Sequence, residues 1–561
     1  MNITVADYIA QFLKSKKINE VFMLTGYGAM YLNDAIKKNG IKYYATRNEA
    51  TAPIMAAAYS RVSGGVGVAC VTAGPGATNA VPGLSEAFVD SSPALIISGQ
   101  VDLKHTTIKT KLKNIRTFGT AEINIEPVVK PLTKYAKTIF KPSEIRYHLE
   151  KAYHECISGR PGPVWLDIPL DVQSAKINPK YLKRYIKKKK TNSKFANSIK
   201  KIHQYLLESK KPIIVCGQGV KISKTFKLIY DKISMKYKIP IFFTRAAQDL
   251  CSHKNELIMG QAGIKGSKYC KTIMTQSDLV LNFGSRLAPQ FVGHSFEAFK
   301  NAKIISIDIE KDELIKKGCN TDLKICSDLE YFIPMLTKYL NKRYKITFNE
   351  WSKYCENKKK EKISNIDKKT NPIDLYYFMN ELGSFSKKNS ILVTDAGSNY
   401  YIGGQVWKFE KGQTEITSIS NAAMGLSIPL AIGGAIGSKT NQVLAVTGDG
   451  SLELNIQELK TISHYNLNIK LFVINNGGYV SMHNWTDSFF EGRRVDTQED
   501  TGEGTLNLKN IAKAFDLSYY KIDNYRNIKK DLIKICKTNS PMFIEVVTDS
   551  KQIIFDSFKD K

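Results

Sequence analysis

Two residues 27 positions apart, Asp449 and Asn476, carry the most legible chemistry in the sequence. They lie in VLAVTGDGSLELNIQELKTISHYNLNIKLFVINNGGY, which reads as a strand over 443–447, a Gly-Asp-Gly-Ser turn, a helix near 454–464 and a second strand over 470–474. Such a β-α-β unit lays its strands side by side and parallel, because the crossover is right-handed and its helix packs back on the sheet. Asp449 and Asn476 then leave neighbouring strands at their carboxyl ends, where doubly wound sheets bind ligands. One carboxylate, one amide oxygen and a nearby backbone carbonyl make a hard, all-oxygen half-shell that diphosphate oxygens and water can complete, an arrangement suited to Mg²⁺. Gly448 and Gly450 let the backbone approach phosphates, and the helix start that follows favours the anion. Taken alone, Gly-Asp-Gly is explained equally well as a tight turn.

A second carboxylate opens a helix. ATRNEATAPIMAAAYSRVSGGVGVACVTAGPGATN reads as a strand end, a helix from about Asn48 to Ser63, a Gly-Gly turn, a buried strand and a Gly-Pro-Gly loop. Glu49 stands at the start of that helix, among Ala, Pro, Ile and Met. A lone acid there is ordinarily a solvated first-turn residue that favours the helix dipole.

Together the two segments resemble the thiamine-diphosphate-dependent enzymes, whose signature is Gly-Asp-Gly followed after a fixed interval by Asn-Asn. The likeness runs in register over nearly the whole chain. In the first block it is to acetolactate synthases and pyruvate oxidases, continuing through Gly74-Pro75-Gly76-Ala77-Thr78-Asn79 to Gly99-Gln100-Val101. The resemblance implies that Asp449, Asn476 and the carbonyl of Gly478 hold Mg²⁺, and that Glu49 hydrogen-bonds the aminopyrimidine and activates the cofactor. It places Gly74, Pro75, Asn79, Gly448, Gly450, Ser451 and Tyr479 around thiamine diphosphate. Met424, in SNAAMGLSIPLAIGGAIG, matches the bulky apolar residue under the bent cofactor, and Gly397, Ser398 and Asn399, in TDAGSNYY, match a diphosphate-contacting turn. It also implies a homodimer or homotetramer, because the activating glutamate of one subunit meets the metal site of another.

Within the family, enzymes of the pyruvate decarboxylase type carry an adjacent His-His pair as proton donor, which this chain lacks. That favours transfer of the acyl carbanion equivalent to a second carbonyl compound over release of an aldehyde. Acetolactate synthases carry Phe-Gln-Glu where this chain has Arg116-Thr117-Phe118-Gly119-Thr120-Ala121-Glu122, and a Gly-Tyr-Pro-Gly-Gly loop where it has Thr25-Gly26-Tyr27-Gly28-Ala29-Met30. LTGYGAMYLNDA and SFFEGRRV look more like carboligases of branched-sugar, yersiniose-type pathways, whose acceptor is a nucleotide-linked keto sugar. Trp485 stands where acetolactate synthases keep a Trp against the second oxo acid, which supports acetolactate synthesis as the alternative. His483 and Arg493 are further candidates for the acceptor side.

The central block resembles the FAD-carrying domain of acetolactate synthases at Gly217, Gly219, Thr244, Gly260, Gly284, Arg286 and Asp308. Most of these fall at or just beyond predicted strand ends. There glycines permit close approach, Arg286 could pair with a diphosphate and Asp308 could accept hydrogen bonds from a ribose. The fold itself also needs glycine at such turns. Any FAD would be structural, since carboligation involves no net electron transfer.

These residues need three α/β domains, each a doubly wound parallel sheet: a pyrimidine-binding domain over 1–175, a central Rossmann-like domain over 196–340 and a diphosphate-binding domain over 370–550. Strands are expected near 213–216, 240–243, 279–283 and 303–308 in the second block, and at ILVTD, VLAVTGD, IKLFVIN and PMFIEVV in the third. Val5, Tyr8, Ile9, Phe12 and Leu13 line one face of an N-terminal helix that is not a secretion signal, and no apolar run reaches transmembrane length. Nine cysteines lack any Cys-x-x-Cys pairing and read as reduced thiols of a cytoplasmic protein. The net charge of +30 is mostly lysine dispersed along the chain, its densest run, 183–190, lying in an interdomain connector. The partners expected are a 2-oxo acid and a carbonyl acceptor, with neither nucleic acid nor membrane.

Overall fold

The computed structural model of the chain describes residues 2–556 apart from 113, 188–194, 268, 343–345, 361–367, 439–441 and 505. The expected connectors, including 188–190 of the lysine run, therefore fall partly outside the described residues. Three six-stranded sheets follow one another along the sequence, each wholly parallel with helices between its strands. Short β-branched runs alternating with helical patterns produce this architecture, because parallel neighbours need a crossover element and both sheet faces must be covered.

The first sheet uses Glu20–Met23, Lys42–Ala45, Gly67–Val71, Ala94–Gln100, Tyr135–Thr138 and Val164–Pro169. The third uses Ile391–Thr394, Thr414–Thr417, Val443–Gly448, Ile469–Asn475, Ser518–Ile522 and Met542–Val547. Numbered within each sheet, both run in the spatial order 2-1-3-4-6-5. The central sheet, from Pro212–Cys216, Ile241–Phe243, Ile258–Gln261, Leu279–Phe283, Lys303–Asp308 and Leu323–Cys326, runs 3-2-1-4-5-6, the dinucleotide-fold order. Two domains thus share a topology without a visible sequence repeat.

Packing extends beyond the expected boundaries. Lys176–Ile177 pairs antiparallel with Ile3–Thr4, and Leu182 joins the first domain's core. Phe348, Trp351 and Cys355 belong to the central core, and the Trp351 indole donates to the Pro212 carbonyl. The N-terminal helix, Val5–Ser15, is capped by Thr4 and buries Val5, Ile9, Phe12 and Leu13.

The first and third domains share one apolar core. Helix Thr51–Ser63 lies against helix Ser427–Ser438 closely enough that a Cβ at Gly433 would stand 2.2 Å from the Met55 carbonyl oxygen. Among the described residues no helix is long and apolar enough to cross a membrane, and all nine cysteines are free thiols.

Candidate active site

Strands Val443–Gly448 and Ile469–Asn475 are parallel neighbours with Gly448 opposite Ile474, so Asp449 and Asn476 emerge side by side. One Asp449 oxygen, Oδ2, accepts backbone N–H groups from Asn476 (3.0 Å), Gly477 (3.0 Å) and Gly478 (3.3 Å), while Oδ1 accepts from Gly450 (3.1 Å). Burial raises the Asp449 carboxyl from its ordinary range despite these donors. Asn476 is 8% exposed, yet its Oδ1 has no hydrogen-bond partner. A buried amide oxygen without a partner is costly, and a cation would satisfy it. The buried Asp449 carboxylate and the unpartnered Asn476 amide oxygen therefore suit Mg²⁺, while the Gly478 carbonyl accepts the Val480 N–H at 2.9 Å.

A third carboxylate, missed in the sequence, crowds this turn. A Cβ at Gly450 would meet Glu503 Oε1 at 2.3 Å and the Tyr479 ring at 2.2 Å, and one at Gly478 would meet Glu503 Oε2 at 2.6 Å. Burial, followed by repulsion from Asp449, Glu453 and Asp496, pushes Glu503 up to about 7. Nothing in QEDTGEG separates Glu503 from a solvated acidic loop, because its place depends on the loop folding back over Gly450 and Gly478.

The helix expected over 454–464 is interrupted. It appears as Asp449–Glu453, a tight turn Ile456–Glu458 and Leu459–His464, and the break falls at Asn455, whose side chain donates to the Gly425 carbonyl at 2.8 Å. That bond and the one from the Gly425 N–H to Ser451 Oγ (2.8 Å) fasten the Met424 loop to the Asp449 turn. Gly397, at φ 83°, starts helix Ser398–Val406 and lies against Ser481. Ser398 and Asn399 are buried, and Asn399 is engaged by Asp395 and the Ala396 carbonyl.

In the first domain Glu49 is half-buried and accepts from Asn79 Nδ2 at 2.8 Å, and that amide also donates to Asn48 at 3.0 Å. Gly74 is a tight fit, since a Cβ would stand 2.2 Å from the Ala121 carbonyl oxygen, and Pro75 opens the short helix Pro75–Asn79. Among the described residues no hydrogen bond joins Glu49 to the Asp449 turn. The flanking Arg47 N–H and Thr51 hydroxyl instead donate to Glu458 of the third domain at 2.8 and 2.7 Å.

In comparisons with known proteins, residues 3–120, 199–336 and 395–546 match the N-terminal TPP-binding, central and C-terminal TPP-binding domains of thiamine pyrophosphate enzymes. The acetolactate synthase large subunit of Lactococcus lactis subsp. lactis is 31% identical over 98% of this chain and 93% of its own length. The chloroplastic acetolactate synthase 1 of Nicotiana tabacum is 28% identical over 98% of this chain and 82% of its own, and the isozyme 1 large subunit of Escherichia coli 27% over 98% and 95%.

The chain belongs to the thiamine pyrophosphate enzyme family.

As in its relatives of this thiamine pyrophosphate enzyme family, a central domain stands between the two cofactor-binding ones, and here it carries a cavity of about 520 Å³. Of the residues singled out in the sequence, Gly219, Thr244, Gly284, Arg286 and Asp308 line it, while Gly217 and Gly260 do not. Gly217 serves the fold, since a Cβ there would stand 2.2 Å from the Gly284 carbonyl oxygen. Asp308 is largely buried and accepts from the Glu310 N–H, and Arg286 donates to Ser420 of the third domain. Arg245, another lining residue missed in the sequence, is buried against Glu415 at 2.5 Å, its guanidinium 4.5 Å from the Tyr400 ring centre. No sequence spacing announces that pair, which spans two domains.

The cavity reaches the third domain at Tyr400, Asn421 and Trp485. Trp485 lies on helix Val480–Phe489 and stacks on Phe489, with ring centres 5.5 Å apart. His483, on the same helix, is turned inward: its ring is buried and Nε2 pairs with the Thr497 carbonyl at 2.9 Å, so it braces the loop over the Asp449 turn. Arg493 is exposed and pairs with Glu491. The geometry thus gives Trp485 a cavity wall and leaves His483 and Arg493 outside it.

Proposed function

We propose that this thiamine-diphosphate-dependent carboligase takes pyruvate, or a close 2-oxo acid, decarboxylates it and transfers the acyl carbanion equivalent to a carbonyl acceptor, with Mg²⁺ as its metal. The likeness to proteins named acetolactate synthase over 98% of the chain carries this reading. Thiamine diphosphate, when bound, supplies the carbon nucleophile and electron sink that such a transfer needs. Asp449, Asn476 and the Gly478 carbonyl hold the metal, and the turns at 397–399 and 448–451 receive the diphosphate. Met424 and Tyr479 supply apolar surface beside it, and Gly74 and Pro75 shape the pyrimidine side. Glu49 holds a proton at the aminopyrimidine ring nitrogen, with Asn79 orienting its carboxylate.

The relatives' names favour a second 2-oxo acid as acceptor, and Trp485 in the cavity wall agrees. A bulkier acceptor, a nucleotide-linked keto sugar, is favoured by the loop at 107–122. There the Glu122 carboxylate is spent on the Thr107 N–H and hydroxyl and the Phe118 N–H, and Ala121 offers only a methyl at φ 59°. Incubating the purified protein with thiamine diphosphate, Mg²⁺ and pyruvate, alone and with a panel of nucleotide-linked keto sugars, separates the two. Acetolactate from pyruvate alone supports the first, a branched sugar the second, and no cofactor-dependent loss of pyruvate would overturn both.

FAD in the central cavity is supported by the dinucleotide strand order and the five lining residues. Colourless protein that releases no flavin on denaturation and gains no thermal stability from added FAD would refute it. A homodimer at minimum is supported by Glu49 standing apart from the metal turn's hydrogen bonds and by exposed Tyr27, Leu112 and Phe118 on the same domain.

A further inference from the structure

One buried carboxylate ties the three cofactor segments together, and nothing in the sequence motifs assigns it a role. Asp395 follows strand Ile391–Thr394 at the point where the third sheet reverses its strand order, beside Val443–Gly448. It is 0% exposed, and among the described residues no cation pairs with it. Its Oδ2 accepts from the hydroxyls of Thr447 (2.9 Å) and Ser451 (2.7 Å), two residues to either side of Asp449. Its Oδ1 accepts from Asn399 Nδ2 (3.2 Å), while its own N–H donates to Asn399 Oδ1 (3.3 Å). Ser451 Oγ, donating to Asp395, accepts in turn from the Gly425 N–H at 2.8 Å.

A buried carboxylate with no cation costs several kcal/mol, and packing alone would be served as well by a neutral group of the same shape. A carboxylate differs in accepting at every lone pair. It forces Thr447, Ser451 and Asn399 all to act as donors toward it, which leaves the Ser451 lone pairs free to fix Gly425.

We propose that Asp395 is a positioning residue for the thiamine diphosphate site, holding the 397–399 turn, the metal turn and the Met424 loop in one fixed relation. The proposal rests on the reading of these segments as the cofactor site. In Asp395→Asn the amide nitrogen replaces one acceptor, so whichever way it turns, either Asn399 Nδ2 or the Thr447 and Ser451 hydroxyls lose the oxygen they donate to, while the volume stays nearly the same.

The experiment compares the parent, Asp395→Asn, Thr447→Val, their double variant and Asp449→Ala. It measures the apoprotein melting temperature, thiamine diphosphate and Mn²⁺ affinities by calorimetry, and the near-ultraviolet circular dichroism of the bound cofactor. We expect Asp395→Asn to melt at or above the parental temperature, to bind both ligands at least tenfold more weakly and to alter the dichroic band at saturation. The double variant should be no weaker than the worse single one, because Thr447 acts through Asp395. Parental affinities and dichroism in Asp395→Asn, or losses that multiply in the double variant, would overturn the proposal while Asp449→Ala still lost the metal. Should Asp395→Asn fail to fold, Thr447→Val carries the test, with weaker cofactor and metal binding expected and parental binding contradictory. A parent that binds no thiamine diphosphate would overturn the underlying reading as well.

Discussion

At the scale of single residues the candidate chemistry divides into groups to which the motifs and the resemblance they carry point, and groups that only folding assembles. Glu49 belongs to the first kind. Glu49→Gln should keep the cofactor but lose activity by about 10²–10³-fold, since an amide cannot deliver the proton asked of it. Thiazolium proton exchange at the parental rate would contradict that role. Asp449→Ala removes the only charged ligand expected for the metal, so Mg²⁺-dependent cofactor binding should weaken by more than about tenfold, which titration calorimetry reads directly. Glu503, Asp395 and Arg245 belong to the second kind, because each acquires its role from partners far away in sequence. So does Asp167, which accepts from Ser98, Gln100 and Thr138 and is pushed up to about 7 by burial. Between pH 4 and 7 the folded state keeps this proton while the unfolded chain has released it. Stability therefore falls as pH rises through that window and levels off above it. Asp167→Asn should flatten the melting-temperature profile there, removing a dependence on the order of 2–4 kcal/mol. Equal slopes in parent and variant would contradict the assignment.

At the scale of elements, legibility followed position in the sheet. In the second and third blocks the strands read from apolar runs are interior or near-interior ones, buried on both faces and continuously apolar. The four overlooked strands, Ile258–Gln261, Leu323–Cys326, Thr414–Thr417 and Ser518–Ile522, are the four edges of those two sheets. An edge strand pairs on one side only and tolerates polar residues, so IMGQ, LKIC, TEIT and SYYKI lack the signal. The break at Asn455 was hidden for a different reason, since the bond that causes it goes to Gly425, outside the helix. The contact of Thr51–Ser63 with Ser427–Ser438 offers a test of packing. Gly433→Ala pushes a methyl into the Met55 backbone and should destabilise the fold by about 1–3 kcal/mol, read as a lowered melting temperature. An unchanged melting temperature would mean the helices can part without cost.

At the scale of the whole molecule, three domains with two topologies explain why the cofactor motifs sit at opposite ends of the chain. If the enzyme works as the proposed homodimer, with Glu49 of one subunit serving the metal turn of the other, two inactive variants complement each other. Equal amounts of Glu49→Gln and Asp449→Ala, unfolded and refolded together, should recover about a quarter of parental activity, because half the dimers are mixed and each has one intact site of two. No recovery despite dimers of the right mass would place Glu49 and Asp449 of the same chain in one site.

The apolar core shared by the first and third domains has a further consequence. Residues 22–165 and 391–543 contribute to one core, whereas the central core draws only on 199–355. Polar links join the central domain to its neighbours, Arg160 with Glu310, Arg245 with Glu415, Lys254 with Glu410, and the Gln218 amide with the Asp90 carbonyl, beside the edge contact of the His253 ring with Phe409. In folding terms the molecule is a host interrupted by a guest. The host must close over a gap of some two hundred residues before its core exists, a long loop whose closure entropy a prefolded guest reduces by bringing the severed ends together. Calorimetry should resolve two transitions rather than three, and salt should shift their separation, because the guest is held by charge and the host by oil.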